Sequence, residues 1–141
     1  MGQHRETLAG LALLAGIWLL AVSCDEVDDT PPPKPHIIAP ATGIVRIPVK
    51  FVVTFDSTPP PNTFTLWSWG DRIASEQSWD SVVWHAYGDT GTYVVKVGAH
   101  RIVHYGFLNQ YERYISSGVP DSCTVRIVRS GPLGDASGLA E

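Results

Sequence analysis

The chain has 141 residues, enough for one domain and hardly two. Ten basic against fourteen acidic side chains leave a net charge of −4, which excludes the basic stripe that displaces counterions from nucleic-acid phosphates. Thirteen Gly, eleven Pro, five Trp and five Tyr suit a β protein with many turns.

The N-terminus reads as an address. Leu8 to Ser23 is an unbroken run of apolar and small residues. It falls short of the ~20 apolar residues that a comfortable membrane span needs and fits the hydrophobic region of a signal peptide. The segment ahead of it is only weakly basic, because Glu6 offsets Arg5. Where the run ends, Ala21-Val22-Ser23-Cys24 resembles the lipobox of bacterial lipoproteins. That resemblance implies a signal peptide over 1–23 and a lipid on Cys24. It places the protein in a bacterial cell envelope, anchored to a membrane on its periplasmic or extracellular face. Acyl chains anchor because each buried CH₂ contributes ~0.8 kcal/mol. A plain signal peptide cut nearby, or an uncleaved anchor, is the competing reading. Residues 24–35 then form a tether, which four acidic residues keep solvated and Pro31, Pro32 and Pro33 stiffen.

Between residues 36 and 128 the dominant signal is period-2 alternation, the mark of half-buried strands. His36 to Ala39 is a short first strand. Pro48 to Phe55 sets Val49, Phe51, Val53 and Phe55 on one face. Phe64 to Trp69 turns Thr65, Trp67 and Trp69 inward, and Ser81 to Tyr87 is a further β-rich run. Tyr93 to His100 turns Tyr93, Val95, Val97 and Ala99 inward, and Ser122 to Val128 does the same with Cys123, Val125 and Ile127. Asp56 to Asn62, Gly70-Asp71 and Gly88 to Gly91 are loop and turn sequences between the runs. Residues 129–141 carry no periodicity and are expected to be a disordered tail.

The segment from Arg101 to Gly118 is ambiguous. Phe107, Leu108, Tyr111, Tyr114 and Ile115 follow the spacing of one helical face. Equally, the preceding strand runs on through Val103 and Tyr105 into a long hairpin. Arg101, Tyr105, Phe107, Tyr111, Arg113 and Tyr114 make it the best candidate for partner binding, since Tyr and Arg are favoured at interface hot spots. The competing reading has these aromatics covering an open end of the domain.

The order of several motifs resembles one family. Trp67-Ser68-Trp69-Gly70-Asp71 is similar to the W-x-x-G-D core of PKD (polycystic kidney disease) domains. His85-Ala86-Tyr87, then Gly91-Thr92-Tyr93 and the strand after it, resemble the H-x-Y and G-x-Y segments of that family. The resemblance implies an all-β, immunoglobulin-like (PKD-like) sandwich of about seven strands over residues 36–128. It makes Trp67, Trp69, Gly70, Asp71, His85, Tyr87, Gly91 and Tyr93 architectural. Tyr93, at the start of a strand, takes the place of a tyrosine corner. One departure bears on the turn: the family continues G-D-G, whereas Arg72 follows Asp71 here.

Other features are weighed against chemistry. His85 as a general base lacks a recognisable nucleophile motif in the sequence. Asp89-Thr90-Gly91 matches the aspartic-protease triplet, but it follows Ala86-Tyr87-Gly88 rather than an apolar strand. On a helix His100 and His104 would meet at i and i+4 and could hold zinc, but the region before them is strand-like, and on a strand they stand about 13 Å apart on one face. Cys123 belongs to an inward set and reads as a small buried hydrophobe; if Cys24 carries no lipid, pairing of the two cysteines returns as an option. The expectation is therefore a lipid-anchored envelope or surface module for protein or glycan contact. No catalytic residue, metal, cofactor or nucleic acid is expected. The alternatives are a structural spacer without a specific ligand, or a non-catalytic accessory to a secreted hydrolase.

Overall fold

The computed structural model describes residues 27–130. The signal peptide, Cys24 and the last eleven residues of the expected tail lie outside the described residues.

Nine strands form among the described residues, seven of them where the alternation, the turn signals and the hairpin reading place them and two of them short additions. Strand β1 (Pro35–Ile38) pairs antiparallel with β3 (Val49–Phe55), which pairs antiparallel with β6 (Val82–His85). The second sheet has the order β2 (Thr42–Ile44), β9 (Asp121–Val128), β7 (Gly91–Tyr105), β4 (Thr63–Ser68) and β5 (Glu76–Ser78). Strand β8 (Tyr111–Ser116) also pairs with β7. The short strands β2 and β5 account for the excess over the expected seven. At three residues each they carry too little alternation to be read from sequence.

The chain switches sheets early. Pro40, with no backbone N–H to offer a ladder, follows the end of β1, and the next residues lie parallel to β9 as β2. Gly43 permits the close approach: a Cβ there would lie 2.6 Å from Val49 Cγ2 and 2.9 Å from Ile127 Cδ1. A first strand split between sheets, with β1-β3-β6 facing β9-β7-β4, is the strand partition of an immunoglobulin-like sandwich. The expected all-β sandwich is therefore the fold.

Both inner faces supply the core, as the alternation requires. Val49, Phe51 and Val53 of β3 and Val83 of β6 meet Trp67, Val95, Val97, Val125 and Ile127 from the opposite sheet, with Trp69 just beyond β4. Phe51 is fully buried at the centre, with its ring centroid 6.1 Å from that of Trp67 and 5.1 Å from that of Trp69. Asp121 joins the sheets at one edge, its carboxylate accepting the Ile37 N–H at 2.8 Å. That bond holds the Asp121 carboxyl below its ordinary range.

The helical reading of residues 107–115 is overturned. Strand β7 continues to Tyr105 and returns as β8, with Phe107–Asn109 a single 3-10 turn at the tip. Strands β8 and β9 lie along one edge of β7, broken by a bulge. Two residues of β7, Gly98 and Ala99, face four, Ser117 to Pro120. The first half of β7 belongs to the sandwich, and its second half runs on into the hairpin.

Candidate functional site

The residues that carry the family resemblance converge on one end of the core. The turn after Trp69 is tight. Gly70 has φ +79°, and a Cβ there would sit 2.7 Å from the Val94 carbonyl oxygen, so glycine is required. Arg72, where the family has glycine, also adopts the left-handed region at φ +67°. The turn keeps its shape at a cost of roughly 1–2 kcal/mol in backbone strain.

Asp71 fastens this turn to β6. Its Oδ1 accepts the Ile73 N–H at 3.2 Å, and its Oδ2 lies 2.7 Å from His85 Nε2. Both side chains are only 11% exposed. The His85 ring stacks on Trp69 at 4.4 Å and 4°, and meets the Tyr87 ring edge-on at 4.7 Å. Tyr87 donates to the Trp69 carbonyl at 3.3 Å and stacks on Tyr93 at 4.2 Å. Burial pushes the Tyr87 hydroxyl far above its ordinary range, so it stays a neutral donor. Tyr93 donates to the Asp89 carbonyl four residues upstream at 3.0 Å, which is the tyrosine-corner bond. Asp89, in a bend, and Thr90 lie between strands, and Gly91 opens β7. The eight motif residues form a packing frame from Trp67 to Tyr93 in which His85 spends its Nε2 and one ring face on structure.

The six residues expected to bind a partner are divided. Pairing of β7 with β8 puts Arg101, Val103 and Tyr105 on one hairpin face with Ile115, Arg113 and Tyr111. Tyr114, opposite Ile102, lies on the other. Phe107 is at the tip.

Arg101 corrects the expectation most clearly. It is 8% exposed, and four of its five N–H donors are already used. Nη1 donates to the carbonyls of Asp28 and Thr30, both at 3.0 Å, Nη2 to Asp28 Oδ2 at 3.0 Å, and Nε to the Pro61 carbonyl at 3.3 Å. Arg113 pairs with Asp29. The acidic segment expected to stand free as a tether is, at its described end, clasped to the hairpin. Thr30 and Arg101 pull the Asp28 carboxyl down to about 2. Neither arginine was read as a partner for those aspartates, although the charges are complementary, because more than seventy residues separate them.

The outward face of the six-stranded sheet carries a surface the sequence reading passed over. Phe64 is buried there by its neighbours: its centroid lies 5.3 Å from that of Trp79, 5.5 Å from that of His100 and 6.2 Å from that of Tyr114. Trp79 and Tyr114 flank it at 57% and 62% exposure. Beside Trp79 an open cleft of about 420 Å³ runs between Phe55 and Val53 on one wall and Phe64 and Thr65 on the other. The signal for Trp79 is a lone aromatic in the polar stretch Ser78-Trp79-Asp80-Ser81. His100 is thus spent on Phe64, while His104 Nε2 pairs with Glu112 at 3.2 Å. Cys123 packs against the core half-buried, and burial raises its thiol.

No protein-family model matches the sequence, and no curated protein matches it. Among solved structures, the chain is similar to the PKD domain of an M14-like peptidase from Thermoplasmatales archaeon SCGC AB-540-F20. That likeness has 20% identity and a TM-score of 0.47, and spans 70% of this chain and 96% of that one. The fold assignment stands on the strand partition and the two-sheet core described above.

Proposed function

We propose that the chain is a lipid-anchored, non-catalytic module of a bacterial cell envelope, whose six-stranded sheet meets a protein or glycan. The carrying observation is the strip Trp79–Phe64–Tyr114. Two exposed aromatics, Trp79 and Tyr114, flanking a buried Phe64 on the outer face of the sheet are a contact surface in search of a cover, and they supply broad, amphipathic area at low entropic cost. The lipobox-like Ala21 to Cys24 supports the anchor. The use of His85 and Asp71 in packing supports contact over catalysis.

The test is photo-cross-linking in intact cells, with a benzophenone side chain replacing Trp79 or Tyr114 and, as a distant control, Asp89. Reproducible cross-links from the first two positions to one envelope protein or glycan, with none from position 89, are expected. Random neighbours alone from all three positions would leave a structural spacer as the function. Cys24→Ser should move the protein out of the membrane fraction.

A further inference from the structure

The clasp between Asp28, Asp29 and the two arginines fixes where an anchor at Cys24 must lie. Val27 and Asp28 share a groove with Val103, His104 and Asn109, so the described chain begins beside the hairpin tip. Only Asp25 and Glu26 stand between Cys24 and Val27, which limits the distance between the Cα atoms of Cys24 and Val27 to about 11 Å. A lipid on Cys24 therefore draws the end of the sandwich that carries the tip, with the neighbouring Asn62 loop, to the bilayer surface.

The tip is built for that surface. Leu108 is 83% exposed at φ +63°, an apolar side chain turned to solvent by a backbone conformation that disfavours it. Gly106 and Asn109 also take positive φ, and the Asn109 N–H closes the turn on the Gly106 carbonyl at 3.1 Å. Below Leu108, Tyr105 and Tyr111 stack at 5.5 Å with both rings exposed. The polar side chains around them are partnered, His104 with Glu112 and Arg113 with Asp29. An apolar apex above a tyrosine pair is the distribution that settles at the water–lipid boundary, where an amphipathic ring has an apolar body and a wet hydroxyl.

We infer that the β7–β8 tip is a second membrane contact, with Leu108, Tyr105 and Tyr111 seated in the headgroup layer of the bilayer that holds Cys24. The inference rests on the anchor reading above. Such a small apolar area binds weakly by itself; the anchor raises its effective concentration at the surface enough to keep it seated. Docked this way, β7 stands away from the membrane, and the opposite end, at Asp89, lies roughly 45 Å further out along the strand.

The test uses full-length protein purified from membranes and reconstituted in vesicles of phosphatidylethanolamine and phosphatidylglycerol. It carries a nitroxide on Leu108→Cys or Asp89→Cys in a Cys123→Ser background. Intact mass first reports the acyl groups. In acylated protein, the label at 108 should shift from nickel-accessible to oxygen-accessible on reconstitution, and the label at 89 should not. Asp28→Asn with Asp29→Asn should return label 108 to the aqueous reading with the acyl mass unchanged. Absence of acyl groups on Cys24 overturns the anchor and the seated tip together. Acylated protein with an aqueous label at 108 overturns the seated tip alone, and a seated label in the double Asn variant overturns the role of the clasp.

Discussion

His85→Ala separates architecture from chemistry. The imidazole stacks on Trp69 at 4.4 Å, meets Tyr87 at 4.7 Å and hydrogen-bonds Asp71 at 2.7 Å, with both partners of that bond nearly buried. A buried aromatic pair is worth ~0.5–1.5 kcal/mol beyond its area. A hydrogen bond to a charged group contributes ~1.5–3 kcal/mol, and leaving its partner unsatisfied costs at least as much. The partial cavity adds to this, so the loss is about 3–4 kcal/mol in all. At ~4–8 °C per kcal/mol for a domain of this size, the melting temperature falls by ~12 °C or more. The assay is chemical denaturation of wild type, His85→Ala, Asp71→Ala and the double variant. The pair should couple by about 1.5–3 kcal/mol, because each residue's contribution depends on the other. A single variant within about 1 kcal/mol of wild type, or additive losses, would refute the packing role and reopen His85 as a free functional group.

Gly70→Ala should lower the denaturation midpoint by the equivalent of about 1–3 kcal/mol, through left-handed strain and the clash with Val94; unchanged stability would mean that the turn is not tight. The clasp should be acid-resistant. Asp28 has its folded value depressed from 3.8 to about 2, so its stabilising contribution is full above 3.8 and is lost as pH falls through about 2. A ¹³C carboxyl titration followed by NMR checks this, and an Asp28 midpoint near 3.8 would show that the clasp is open in solution. In a Cys24→Ser background, Cys123 should react with an aromatic disulfide about tenfold or more slower than free cysteine, because burial raises its thiol. A rate equal to that of free cysteine would place it at the surface.

The alternation of apolar residues determined the core. Val49, Phe51 and Val53, then Val95 and Val97, then Val125 and Ile127, are buried because a strand offers alternate side chains to one face whatever its partners. The motif residues around Gly70, His85 and Tyr93 were legible only through their resemblance to the PKD pattern, because their contacts, Asp71 to His85 and Trp69 to Tyr87, span fourteen and eighteen residues of the chain. Strands β2 and β5 were not legible. Three residues carry no period, and their pairing comes entirely from β9 and β4. Tertiary structure alone decided the surfaces. It took Arg101 out of the expected contact site and gave it to Asp28 and Thr30, seventy-three and seventy-one residues away in the chain. It also brought Trp79 and Tyr114, from opposite edges of the sheet, onto Phe64. A sequence fixes which side chains a strand presents to each face. Which distant residues meet there depends on sheet order and on where the chain crosses between sheets, and those are properties of the assembled fold.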